Sequence, residues 1–153
     1  MRPGRIATLS WVVLLCACNG YPSDDTAPPS PFDIDNAQRA HALDAIGSTA
    51  FRGERSRIAL VGDCTLRVTR SGGPSGAERY EQTLTPGMHV GVNFNKEAGV
   101  FEVYLLSSSG RDADRLGLLL RSTAWMQAAQ ADLLVKLMIR DCKPTPTPVN
   151  DGV

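Results

Sequence analysis

Four cysteines, two histidines and a few short polar clusters are the side chains of this chain that could do chemistry. Cys16 and Cys18 sit one residue apart behind an apolar run, whereas Cys64 and Cys142 stand alone in the remainder. In an oxidising compartment that second pair is expected to be a disulfide. Closing a loop of about 78 residues stabilises by roughly 4.5 kcal/mol on the chain-entropy account. The alternative, a zinc site, lacks a histidine near either thiol. His41 precedes Asp44 by one helical turn and is expected to form a solvated pair with it. His89 falls on the polar side of an alternating run. Neither histidine has a second at ligand spacing, so no metal and no cofactor is expected. Gly73-Pro74-Ser75-Gly76 approaches a nucleophile elbow, but Ala77 stands where glycine is required, and the segment reads as a turn. Asp112-Ala113-Asp114 has the opening of a calcium loop without the glycine and distal glutamate in register. Trp125 is expected to plug the core.

The first cysteines have a context. Arg2 and Arg5 precede an apolar stretch at residues 6–15, of about the ten-residue length of a signal h-region and well short of the roughly 20 apolar residues that span a bilayer. It ends in Leu15-Cys16-Ala17-Cys18. That tetrapeptide resembles the lipobox of bacterial lipoprotein precursors, with Leu15 at −3 and the small Ala17 at −1. The resemblance implies cleavage before Cys18 and acylation of Cys18, with the acyl chains giving stable anchorage. Choosing Cys16 instead would place Leu15 at −1, where a small side chain is expected. The competing reading is an ordinary secretory signal. Asn19, rather than aspartate, follows the cysteine, which by resemblance to Gram-negative sorting leans toward the outer membrane, facing the periplasm.

Stepping along the chain, prolines mark its divisions. Residues 1–17 form the signal; residues 18–31, with Pro22, Pro28, Pro29 and Pro31, form a spacer too polar and stiff to fold; residues 143–153 form a Pro/Thr tail expected to be disordered. Between them, residues 32–142 make a single domain. The chain has 16 basic and 16 acidic residues; losing Arg2 and Arg5 leaves a mature charge of about −2. No basic block survives, so nucleic acid is not an expected partner.

The domain reads as α+β. Asp33 or Asp35 caps a helix running to about residue 50, with Ala37, Ala40, Leu43, Ala45 and Ile46 on its apolar side and Arg39, His41 and Asp44 toward water; Gly47 weakens its middle and leaves the last turn open. Residues 57–70 alternate with period two, placing Ile58, Leu60, Cys64, Leu66 and Val68 on one face and Thr65, Arg67 and Thr69 on the other, with a bend at Gly62 and Asp63. Strands follow at residues 79–84, 88–95, 100–106 and 116–120. Short turns make these about five strands of an antiparallel meander. Residues 123–141 are read as a closing helix, capped by Ser122 or Thr123 and carrying an Asp132–Lys136 pair, although Val135, Leu137 and Ile139 also alternate as a strand would. On a helix Cys142 falls beside Leu134, Val135 and Met138, stapling its end to Cys64.

No catalytic constellation emerges, so the expectation is not an enzyme. It is a membrane-anchored envelope lipoprotein that binds another envelope protein or assembles with it, an inhibitor or immunity protein being a narrower variant. The candidate binding face is the sheet surface turned from the helices: Thr65, Arg67 and Thr69 with His89, Asn93 and Asn95. The alternative is an envelope hydrolase acting on cell wall or lipid, which would gather His89 or several carboxylates in a pocket.

Overall fold

The computed structural model describes residues 29–73, 76–108 and 114–142. The segment expected to be a signal, Cys18, most of the expected spacer, Pro74-Ser75, Asp112-Ala113 and residues 143–153 lie outside the described residues.

Helix α1 (Asn36–Thr49) starts from a capping box: Gln38 N donates to Asp35 Oδ1 (2.8 Å) and Asp35 N donates to Gln38 Oε1 (3.1 Å). Each bond satisfies a backbone donor that a helix start leaves open, which decides between Asp33 and Asp35. Ala40, Leu43 and Ile46 are buried, while Ala37 and Ala45, expected beside them, are exposed. The helix continues through Gly47 because strand backbone runs against it: a Cβ there would lie 2.6 Å from the Ser56 carbonyl oxygen. The glycine is a point of close approach, and the last turn beyond it is formed.

The period-two run at residues 57–70 is two strands, not one: β1 (Arg55–Val61) and β2 (Thr65–Gly73). The chain reverses at Gly62, whose φ of +66° suits a residue without a side chain. The expected apolar face survives the division. Ile58 opposes Val68 and Leu60 opposes Leu66, and directly opposed residues of an antiparallel pair share a face. Strand β3 (Gly76–Thr83) returns along β2. Strands β4 (His89–Asn95), β5 (Val100–Leu106) and β6 (Arg115–Ser122) form a second antiparallel set. The architecture is therefore six strands in two three-stranded sheets, β1-β2-β3 and β4-β5-β6, with a helix at each end of the domain. The expected meander of about five strands becomes two. After β3, Leu84 is buried and its N–H donates to the Cys64 carbonyl (2.7 Å), and the next strand starts a new sheet instead of pairing with β3.

Helix α2 (Trp125–Asp141) is the closing helix expected over residues 123–141. Its N-cap is Ala124, without a side-chain cap; Ser122 Oγ instead accepts from Ala124 N (3.0 Å) and donates to Gln127 Oε1 (2.8 Å). Leu134, Val135, Leu137, Met138 and Ile139 are all buried, which explains the misleading alternation: this end of the helix is covered on most sides. Lys136 Nζ meets Asp132 Oδ2 at 2.7 Å. The core gathers Leu43, Leu66, Val68, Val103, Leu119, Leu134 and Met138 from both sheets and both helices. Cys64 and Cys142 form a disulfide, with Cα atoms 5.6 Å apart, joining the start of β2 to the end of α2.

Arg39 was expected to face water; it is 2 % exposed. Its guanidinium donates to Asn36 Oδ1 (2.8 Å), to Asp141 Oδ2 and, through Nε, to the Pro31 carbonyl (3.0 Å). One side chain thus binds the domain's entry segment and the last residue of α2 beside the disulfide. A cation can be buried there because its donors are met by fixed acceptors and a carboxylate.

Candidate functional site

The six candidate contact residues divide between the two sheets. Thr65, Arg67 and Thr69 lie on the outer face of β1-β2-β3, in cross-strand rows that the register sets as Val61, Thr65, Thr83; Ala59, Arg67, Glu81; and Arg57, Thr69, Arg79. Thr65 and Thr83 share a hydroxyl hydrogen bond (3.0 Å), and Arg67 Nε donates to Glu81 Oε1 (2.6 Å), which holds the Glu81 carboxyl below its usual range. His89, Asn93 and Asn95 lie on β4, which is not hydrogen-bonded to the first sheet. The expected single polar face is corrected to two, because the chain changes sheets after β3.

These positions also differ in kind. Asn95 Oδ1 accepts from Glu97 N and Ala98 N (both 3.1 Å), closing the β4–β5 turn, and its amide donates to Glu102 Oε1. It is a turn-forming residue. His89 and Asn93 are exposed on an edge strand.

Helix α1 forms one wall of a cleft of about 350 Å³ against the first sheet, with Ala37, Ala40 and His41 facing Ala59, Arg67 and Thr69. The expected His41–Asp44 pair is not what occupies the aspartate: Asp44 Oδ1 accepts from Ile58 N (2.8 Å) and from Arg57 Nε (2.9 Å). The first of these satisfies a backbone donor of β1, the outer strand of its sheet. The second positions Arg57 on the cleft rim. The result is a bare sheet face carrying three arginines and three threonines, with an apolar furrow along one side.

Sequence reasoning missed a buried ionic network. Glu54 Oε1 accepts from Arg70 Nε (3.0 Å) and Nη2 (2.7 Å), and Glu54 Oε2 from Arg121 Nη1 (3.0 Å). Arg121 Nε continues to Glu102 Oε1 (2.9 Å), and Arg70 Nη1 to Glu78 Oε2 (2.8 Å). Arg121 therefore links Glu54, at the entry to β1, with β5 of the other sheet. Burial works to raise the Glu102 carboxyl, but hydrogen bonds from Tyr104, Arg121 and Asn95 overcome it and hold it low. Tyr104, partly buried and donating to Glu102, is pushed up to about 12. Tyr80 lies over Gly117, its ring filling the space a Cβ there would need; its hydroxyl is buried without a hydrogen-bond partner among the described residues, and burial raises its pKa. The signal was present: Arg70 continues the i, i+2 series of Leu66 and Val68, and Glu102 sits within the most apolar strand.

Trp125 was expected in the core but is 55 % exposed. As the first residue of α2 it lies outside the packed interior and meets Phe101 edge-on, with ring centroids 5.4 Å apart. Phe101 in turn contacts Phe94 at 4.9 Å. Phe94, Trp125 and its neighbour Met126 are all exposed, so an apolar patch lies at the start of α2 with Phe101 half-buried beneath it. Among the described residues no three of His, Cys, Asp and Glu are grouped to hold a metal ion, and no helix is long and apolar enough to cross a membrane. No family model, curated protein or solved structure matches this chain.

Proposed function

We propose that this chain is an envelope lipoprotein, anchored through Cys18 and facing the periplasm, whose domain is a non-catalytic module for binding or assembling with another envelope protein. An inhibitor or immunity protein is the narrower form of the same reading. The observation that supports it best is the uncovered outer face of β1-β2-β3. Three adjacent strands present Thr65, Arg67, Thr69 and their cross-strand neighbours, edged by the α1 cleft. Such a face offers fixed arginines for directional contact with a partner's carboxylates and an apolar furrow for a side-chain anchor.

The test is crosslinking and affinity capture of the mature protein from its own envelope, with Cys18→Ala as the unanchored control and Arg67→Glu, Thr69→Glu as the face variant. One protein recovered stoichiometrically with the native chain and lost with the face variant is expected. Recovery unchanged by the face variant, or no stoichiometric protein at all, removes the reading.

A further inference from the structure

The aromatic patch at the start of α2 asks for a covering of its own. Phe94 is 48 %, Trp125 55 % and Met126 74 % exposed, whereas Leu43, Leu66, Leu119 and Leu134 are all but fully enclosed. The patch continues down α2 as a shallow apolar depression lined by Met126, Ala129 and Leu133. Residues 122–131 contain no charged side chain. The β4–β5 turn beside Phe94 carries Lys96 and Glu97, one of each sign, and Asp132 is neutralised by Lys136.

The chain's entry point lies on this side. Pro29 and Pro31 line a groove with Gln130 and Leu134 of α2, and Gln130 also borders the apolar depression. From Cys18 to Pro29 is 11 residues of chain, which at full extension reach at most about 40 Å. An acylated Cys18 would keep that side of α2 close to the lipid surface, at a high effective concentration. Tryptophan, phenylalanine and methionine without flanking charge are the side chains that partition into the bilayer interface, and apolar area, not charge, would drive them there.

We infer that the Phe94–Phe101–Trp125–Met126 patch seats on the phospholipid headgroup region of the membrane that holds the anchor, fixing which face of the domain is presented to partners. The inference rests on the anchoring of Cys18. The phospholipid surface is favoured over a second copy or a protein partner because the depression that continues the patch borders, at Gln130, the groove where the entry segment lies, and because residues 122–131 carry no charge.

Trp125 reports on it directly, since Trp11 is the other tryptophan of the chain and leaves with the signal. The lipidated protein is reconstituted into phosphatidylethanolamine/phosphatidylglycerol vesicles with and without brominated phospholipid. Trp125 emission is expected to shift to the blue and to fall about two-fold with brominated lipid, as for a ring at headgroup depth. Phe94→Ser with Met126→Ser, both exposed positions, should remove the quenching while the circular dichroism stays native. Emission that remains fully open to aqueous iodide and insensitive to brominated lipid overturns the inference. So does a Trp125 environment already buried without vesicles in a concentration-dependent dimer, which would assign the patch to a second copy. The mass of the native protein tests the anchor separately. Should Cys18 carry no lipid, the chain from Asn19 on, held to the same vesicles by an N-terminal histidine tag and a nickel-chelating lipid, gives the same readout. Quenching there sustains the patch, and its absence overturns it.

Discussion

Arg39 carries an unusual share of the contacts at the domain's two ends, since it is buried and bridges Pro31, Asn36 and Asp141. Arg39→Met keeps much of the side-chain volume but strands the Pro31 carbonyl and takes one of two arginines from the Asp141 carboxylate, which keeps Arg140; it should cost about 2 kcal/mol, less than a fully buried pair because Asp141 is partly exposed and still paired. Arg140 first, then Arg39, lowers the Asp141 carboxyl from 3.8 to about 2. Because the folded value lies below the unfolded one, this contribution is complete above about pH 4 and is lost as pH falls toward 2. Urea midpoints at neutral pH and at successively lower pH should therefore show the Arg39→Met deficit shrinking through that window. A deficit that does not depend on pH would mean Asp141 is not the partner that matters.

At the level of elements, the contact of α1 with β1 is set by absence of a side chain. Glycine-to-alanine within a helix ordinarily gains up to about 1 kcal/mol. At Gly47 the sign should reverse, because the new methyl would press on the Ser56 carbonyl oxygen at 2.6 Å; a loss of about 1–3 kcal/mol is expected from overpacking. Thermal unfolding of Gly47→Ala measures it, and a raised Tm would show that the helix can move off the strand. The ionic network is the counterpart between the sheets. Arg121 holds Glu54 and Glu102 together across the sheet boundary, so the relative placement of the sheets rests on polar contacts as well as on Leu119 and its apolar neighbours.

Across the whole molecule, the disulfide closes nearly the entire domain, its ends separated by 78 positions in sequence. Replacing both cysteines by alanine should lower stability by up to about 4.5 kcal/mol if the unfolded chain gains the full loop entropy. Chemical denaturation of the double variant, compared with the oxidised protein, tests this; equal midpoints would mean that Arg39 and helix packing hold the two ends without the covalent link. The same architecture separates two surfaces by chemistry. The outer face of β1-β2-β3 is rich in arginine and threonine, while the start of α2 is aromatic and uncharged, so the surfaces proposed for a partner and for the membrane lie on different elements.

Local pattern was enough for several conclusions about this chain. It determined the α+β class, the helix at each end, the Asp132–Lys136 pair, the apolar set from Ile58 to Val68 and the pairing of Cys64 with Cys142. All follow from periodicity, propensity and the setting apart of Cys16 and Cys18 from the other two thiols, which act over a few residues or need no geometry. The tertiary structure decided the rest. Whether residues 57–70 run on or double back depends on a single glycine dihedral, and period two reads the same either way. Whether β4 pairs with β3 or begins a new sheet depends on where the chain after Leu84 is held. Arg39, Glu54 and Glu102 are buried, and Trp125 is exposed, because burial is conferred by what packs on a side chain, not by its type. For that reason the candidate face could be read as polar and alternating, while its division into two faces could not.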